Sequence, residues 1–318
     1  MRHAAIVLAA LLGVLGLFAP FLANDVPLLA RVGGSYRLPV FESLLGTADH
    51  GPDGTTWKQW WLARPEGSED FAVMPPWATG PLEVHRDAIL AGPSRKHPLG
   101  VDDAGRDQFT RLLFAARTAF LVAAGVVSIA LLLGVVIGGL CGMSGGIVDA
   151  VLLRVIEFFA SFPVLVAALA GAAFFGGSLV NVVALCALVQ WTQIARIVRG
   201  ELLSLRERPF VSCARGLGVG RMRLLYGHLL PQLRAPMLVS AVFVAADAIQ
   251  VESALSFLGV GAGPSTVSFG AMLEQGRVHA VGGAWHLWLF PSLALATLVL
   301  GLHAVADRLS FRERDTSG

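Results

Sequence analysis

The feature that most constrains this chain is its set of long stretches without a single charged side chain. A helix crossing a hydrocarbon core about 30 Å thick needs about 20 apolar residues at 1.5 Å each. Residues 4–24 carry no charge and suit one crossing. A second uncharged run lies between Arg117 and Asp149 and leaves through a Gly-rich exit at 142–146. The run between Glu157 and Arg196 is too long for one helix and breaks naturally at Phe175-Gly176-Gly177-Ser178. A fifth extends from about Pro236 to Leu258, interrupted by Asp247 and Glu252, and a sixth from about Trp285 to Ala306. The expectation is an all-α polytopic membrane protein with six transmembrane helices. Composition agrees: Asp, Glu, Lys and Arg make up 14% of the chain, against about 25% in soluble domains. That excludes a disordered or nucleic-acid-binding chain and fits an ordinary soluble enzyme poorly. The three cysteines, Cys141, Cys186 and Cys213, are too scattered for a disulfide framework or a metal cluster.

The first span admits a second reading, a secretory signal. Its apolar core is longer than the usual 7–15 residues, and Phe21-Leu22-Ala23 lacks a small residue three before the cut. A retained anchor helix over 1–24 is therefore favoured. Arginine placement orients the rest, because short cytoplasmic loops collect basic residues. The connection between spans four and five holds Arg196, Arg199, Arg206, Arg208, Arg215, Arg221, Arg223 and Arg234. Arg154 follows span two, and Arg308, Arg312 and Arg314 follow span six. The turn after span three has no basic residue, and the one after span five has Arg277. Both termini are thus expected in the cytoplasm. Residues 25–112 form an external segment, 113–311 a core of five spans with a cytoplasmic loop at 196–234, and 312–318 a tail. Trp191, Trp285 and Trp288 fall at predicted span ends, as interfacial belts require.

Several chemistries are missing. Neither Lys58 nor Lys96 follows a glycine, so there is no P-loop, and neither His-Glu-x-x-His nor Gly-x-Ser-x-Gly occurs. The informative segment is the loop between spans four and five. Pro209 suits the first turn of a helix, and Gly218 suits the left-handed position that ends one. A second helix fits residues 219–230, with Met222, Leu225, Tyr226 and Leu229 on one face, and Pro231 and Pro236 stopping it before span five. This basic helix–Gly–helix elbow is either an amphipathic hairpin on anionic lipid or a docking element for a soluble partner. Periodicity leaves both open.

The stretch Cys213-Ala214-Arg215-Gly216-Leu217-Gly218, followed by His228-Leu229-Leu230-Pro231, resembles the EAA loop of ABC-importer permeases, E-A-A-x-x-x-G, nine residues, then x-x-L-P. Ala214, Gly218, Leu230 and Pro231 match in register; Ser212 stands at the Glu and Cys213 at the first Ala. Residues 97–107, His-Pro-Leu-Gly-Val-Asp-Asp-Ala-Gly-Arg-Asp, look like the H-P-L-G-T-D-x-x-G-R-D signature of the C-type subunits of dipeptide and oligopeptide permeases. Residues 251–259 are similar to that family's E-A-x-L-S-F-L-G, and 268–273 to x-W-G-x-M-L, with Phe269 for Trp. Together they cover about His97 to Arg312. The resemblance implies a type I ABC-importer permease fold and a non-enzymatic permease subunit for peptides or peptide-like solutes in a bacterial inner membrane. It further implies four kinds of partner: a second permease subunit, two cytoplasmic ATPases, an external solute-binding protein and membrane lipid. No cofactor is expected in this chain, because ATP and Mg would sit on the ATPases. Ser212, Cys213, Ala214, Arg215, Gly218, His228, Leu230 and Pro231 would form the coupling loop.

A carboxylate in a membrane helix defaults to a cavity or a partner. Asp247 is the better candidate for a translocation path; Glu252 suits a structural ion pair or an interfacial position equally well. The rival reading is an ion-coupled secondary transporter using Asp247 and Glu252, although such proteins usually show internal repeats and none is evident. A receptor or scaffold merely anchored by its spans is a third reading, disfavoured by the Arg-rich elbow. Pro163 and Pro291 interrupt spans three and six, as hinges or as packing features. His228 is alone, so packing or capping suits it better than catalysis. The cluster Asp102 to Asp107 lacks the distal Glu of an EF-hand and reads as the polar start of a lead-in to span two. Trp57, Trp60, Trp61 and Trp77 either contact a binding protein or pack as a cap on the membrane surface.

Overall fold

The computed structural model describes residues 2–46, 50–64, 69–263 and 266–317. The chain divides into two compact units, one of Met1–Ala10, Leu121–Pro264 and Ala296–Gly318, the other of Leu11–Phe120 and Ser265–Leu295. The chain begins with α1 (Arg2–Leu17) and α2 (Ala19–Leu22). A short mixed segment follows: β1 (Leu29–Val32), β2 (Ser35–Arg37), α3 (Pro39–Leu44), α4 (Trp57–Ala63) and β3 (Phe71–Val73). The remainder is helical: α5 (Gln108–Ser144), α6 (Gly146–Ala160), α7 (Val164–Phe175), α8 (Leu179–Leu205), α9 (Pro209–Gly216), α10 (Arg221–Leu224), α11 (Arg234–Phe257), α12 (Phe269–His279) and α13 (His286–Ser317).

Among the described residues four helical stretches are long and apolar enough to cross a membrane: α5, α8, Leu225–Phe257 and His286–Phe311. The expected third span is instead a pair, α6 and α7, bent by 76°. Pro163 sits at the break as the residue before α7, where its fixed φ and missing N–H end a helix without cost to the next. Pro291, by contrast, lies inside a continuous α13. The expected first span is a shorter apolar helix, His3–Leu17. The six-span map therefore does not translate helix for helix.

In the first unit α8 is the hub, packing against α6, α7 and α11. Its buried face includes Cys186, Trp191, Ile194, Ala195, Val198 and Leu202. Helix α5 approaches it along Gly134, Gly138 and Gly142, spaced by four. A Cβ on Gly138 would lie 2.5 Å from the Ala195 carbonyl oxygen, and one on Gly134 or Gly142 would lie 2.7 Å from Ile194 or Leu202. Small residues on one stripe let backbones meet where lipid offers no hydrophobic drive for association. Trp191 does not serve in an interfacial belt. It is buried mid-helix with its ring 5.8 Å from that of Phe159, because α8 continues well past the expected end of its span. For the same reason Arg196 and Arg199 belong to α8 rather than to a loop. Arg199 holds Asp149 of α6 through Nε at 2.7 Å and Nη2 at 2.8 Å, and Arg206 donates to the Gly142 carbonyl at the end of α5.

The second unit carries a three-stranded antiparallel sheet, order β2-β1-β3, with Ala30 opposite Arg37 and Ala72. Beneath it Val26, Ala30, Val40, Trp57, Trp60 and Ala72 form a small core. Helix α4 starts with a capping box in which Thr56 and Gln59 satisfy each other's backbone N–H groups. Trp77 packs edge-on against Phe109 at 5.5 Å, and its backbone bonds Leu22 and Asn24. Trp57 and Trp60 are packed into this small core.

Candidate functional site: an exposed elbow and a half-buried acid

The elbow is built as the local rules predict on its first leg and differently on its second. Helix α9 begins at Pro209, and Gly218 has φ +80°. The Val219 N–H donates to the Ala214 carbonyl at 3.1 Å, the six-to-one bond of a Schellman cap, which requires a residue comfortable in the left-handed region. Val211 is fully buried, and Ala214 and Val219 pack partly against the core. The tip faces outward: Leu217 is 85% exposed, and Cys213, Gly216 and Gly218 are exposed as well. An open cleft of about 590 Å³ beside the tip is lined by Gly145, Arg206, Glu207, Gly218, Val219 and Leu224.

On the second leg neither Pro231 nor Pro236 stops the helix. Helix α10 passes through a π turn, Leu225–Leu229, and a 3₁₀ turn, Leu230–Leu233, directly into α11. The Leu230 N–H reaches back to the Leu225 carbonyl. A proline ring clashes with the carbonyl four residues before it, and widening the turn ahead of Pro231 avoids this. Pro236 falls in the first turn of α11, where its N–H would lack an intrahelical partner anyway. The wider turn also rotates the expected apolar face: Leu224, Leu225 and Leu229 are buried, but Tyr226 is 58% exposed. His228 is exposed, and its carbonyl accepts from Gln232 Nε2 at 3.0 Å. Leu230 and Pro231 are half-buried. The segment 196–234 is thus mostly helix rather than loop.

The two acids of α11 part company. Glu252 is fully buried and accepts from Ser256 Oγ at 2.7 Å. Asp247 is half-buried, and one turn before it on α11 Phe243 packs edge-on against the His303 ring of α13, with centroids 5.6 Å apart.

The signature at 97–107 turns inward. Asp102 is fully buried: Oδ1 accepts from the Ala104 and Arg106 N–H groups at 2.9 and 2.7 Å, and Oδ2 from Arg106 Nε at 2.8 Å and from Arg111 Nη1. Asp107, equally buried, accepts from His97 Nδ1 at 2.8 Å and from the Thr110 N–H at 2.9 Å. The latter bond makes Asp107 the N-cap of α5. It explains why α5 begins at Gln108, well ahead of the first uncharged residue.

Apolar helices long enough to cross a membrane, joined by a small-residue seam and carrying a helix–Gly–helix elbow, define a polytopic membrane protein. The chain belongs to the binding-protein-dependent transport system inner membrane component family, whose model matches residues 134–314. It is 36% identical over 244 residues to a protein of Brucella ovis named "putative peptide permease protein", covering 75% of this chain and 80% of the relative. It is 35% identical over 227 residues to the dipeptide transport system permease protein DppC of Alkalihalophilus pseudofirmus, covering 71% of this chain and 74% of the relative. Its fold resembles that of the MetNI methionine ABC transporter in an inward-facing conformation, with a TM-score of 0.53 at 15% identity over 63% of this chain and 94% of that one. The chain is accordingly a permease component with the type I ABC-importer permease fold.

Proposed function

We propose that this chain is one of two permease subunits of an ATP-driven peptide importer in a bacterial inner membrane, with both termini cytoplasmic. The relatives' names support peptide or peptide-like cargo. A second permease subunit completes the path, two cytoplasmic ATPases hold ATP and Mg, and an external binding protein delivers the cargo. The observation that carries the reading is the elbow: Leu217 and Gly218 project from a base anchored by Val211, Leu224, Leu225 and Leu229. An apolar tip on a rigid base suits insertion into a partner's cleft, since buried apolar anchors dominate docking. The coupling surface would comprise Ser212, Cys213, Ala214, Arg215, Gly218, His228, Leu230 and Pro231. Closure of the ATPases would press on α9 and be passed to α11 through the unbroken second leg. Asp247 would face the path, and Glu252 would brace α11 from within.

Gly218→Asp is the test. A Cβ at φ +80° strains the Schellman cap, and the carboxylate puts a charge at the tip. Uptake should be abolished while the chain still inserts and expresses. An affinity pull-down of the tagged wild-type chain from native membranes should recover two ATPases and a second permease, and the mutant should lose the ATPases. Normal transport by the mutant, or recovery of a folded chain alone across several mild detergents, overturns the reading in favour of an ion-coupled transporter.

A further inference from the structure

We propose that Leu38, Phe41, Leu44 and Leu45 form a lipid-docking stripe that seats the segment after α2 in the membrane interface, a role that does not depend on the importer reading above. All four side chains are exposed, Leu45 at 80%. They belong to α3 and the residues that flank it, and Phe41, Leu44 and Leu45 stand at the i, i+3, i+4 spacing of one helix face. The opposite face is occupied. Pro39 and Val40 are buried, Val40 in the small core under the sheet. The Val40 N–H also donates to the Pro27 carbonyl at 3.2 Å. The helix is therefore clamped on one side and leaves an apolar stripe on the other. Exposed apolar surface of this kind marks a contact with protein or with membrane.

Two observations select lipid. The first is continuity. Phe41 packs edge-on against Phe21 of α2, with ring centroids 5.4 Å apart, and the Phe21 ring lies 6.3 Å from that of Phe18 at the end of α1. Phe18 is exposed, as are Leu11, Val14 and Leu17 of α1. An aromatic ladder thus joins the stripe to the apolar surface of a helix whose residues 4–17 carry no charge.

The second is depth. A Cβ on Gly16 would lie 2.6 Å from the Ala116 Cβ and 2.9 Å from the Arg117 backbone nitrogen of α5. Arg117 is the last charged residue before the long apolar run of that span. The end of α1 therefore lies level with the place where α5 enters hydrocarbon. Phe18, Phe21 and Phe41 continue from that level, at the headgroup boundary, where amphipathic elements bury an apolar face by about 5–10 Å. Arg37, exposed just ahead of the stripe, is placed to pair with lipid phosphate, and the half-buried Glu42 sits at the stripe's edge. A soluble partner would call for a stripe held clear of the headgroups.

The test uses the full chain in liposomes of phosphatidylethanolamine and phosphatidylglycerol. Spin labels are placed at single positions in a Cys213→Ser background, since Cys141 and Cys186 are buried. Leu45→Cys and, as a second variant, Leu44→Cys report the stripe. Ser35→Cys, on exposed β2, reports the aqueous side. Collision of each label with oxygen, which concentrates in lipid, is compared with collision with a water-soluble nickel chelate. The expected oxygen-to-nickel ratio at the two stripe positions exceeds that at Ser35→Cys severalfold. Equal ratios at all three positions overturn the proposal and leave the stripe to a soluble partner. Shielding of both stripe labels from both reagents also overturns it, because that places the stripe inside a protein contact. Uptake does not enter the readout, so failure of the importer reading would leave either result standing.

Discussion

The chain carries two recognisable signatures, and the structure uses them in opposite ways. The one at 97–107 is a closed ionic knot. Asp102 and Asp107 are fully buried, their oxygens are filled by Arg106, Arg111, His97 and backbone N–H groups, and the knot caps α5. The one at 212–231 is open: its underside is buried, and its tip presents Leu217, Cys213 and Gly218 to the surroundings. A signature whose carboxylates are filled from within organises the fold. One that leaves an apolar tip and a left-handed glycine exposed is built to meet something else.

The contrast breaks first at Asp102. Asp102→Ala strands Arg111, which is 3% exposed, and removing one partner of a buried ion pair costs about 3–5 kcal/mol. Loss of the folded chain is expected, read as loss of the monodisperse peak in detergent chromatography. A stable, well-folded mutant would mean that the knot is not structural. Asp107→Ala removes the cap of α5 and the partner of His97. Cap loss alone costs about 0.5–2 kcal/mol, so a lowered melting temperature with the fold retained is expected. Leu217→Ala should sharpen the comparison from the other side. Exposed substitutions usually fall within about ±0.5 kcal/mol, so the melt should not move while ATPase co-purification drops. A shifted melt would show that Leu217 packs within the chain.

What was legible in the sequence follows the same division between local and long-range physics. Charge-free runs mark membrane helices because burying a charge in lipid is costly wherever the helix sits. Pro209 and Gly218 mark α9 because both act through the backbone torsions of single residues. The π turn ahead of Pro231 was not legible. Local rules place a stop there, and only packing of Leu224, Leu225 and Leu229 into the core explains why the helix widens rather than ends. The depth of Glu252 depends on which helices pack together, and one-dimensional spacing does not encode that. The α5 seam is an intermediate case: Gly134, Gly138 and Gly142 stand at a visible period of four, but α8 as their partner is a tertiary fact. The strands at 29–37 and 71–73 are three or four residues long and too short to show a period.

The unbroken second leg has a mechanical meaning. From Leu225 to Asp247 the chain is one helical rod, and 22 residues at 1.5 Å each make an arm of about 33 Å. A tilt of about 10° at the elbow would sweep the far end of such an arm through roughly 6 Å, comparable to one helical turn. Under the proposed coupling, the π turn at Leu225–Leu229 would lie at the end of this arm that takes the load. Under that coupling, gearing between the two ends would be set by the length of a single helix, and inserting or deleting a turn between Pro236 and Asp247 would change the stroke without touching either end.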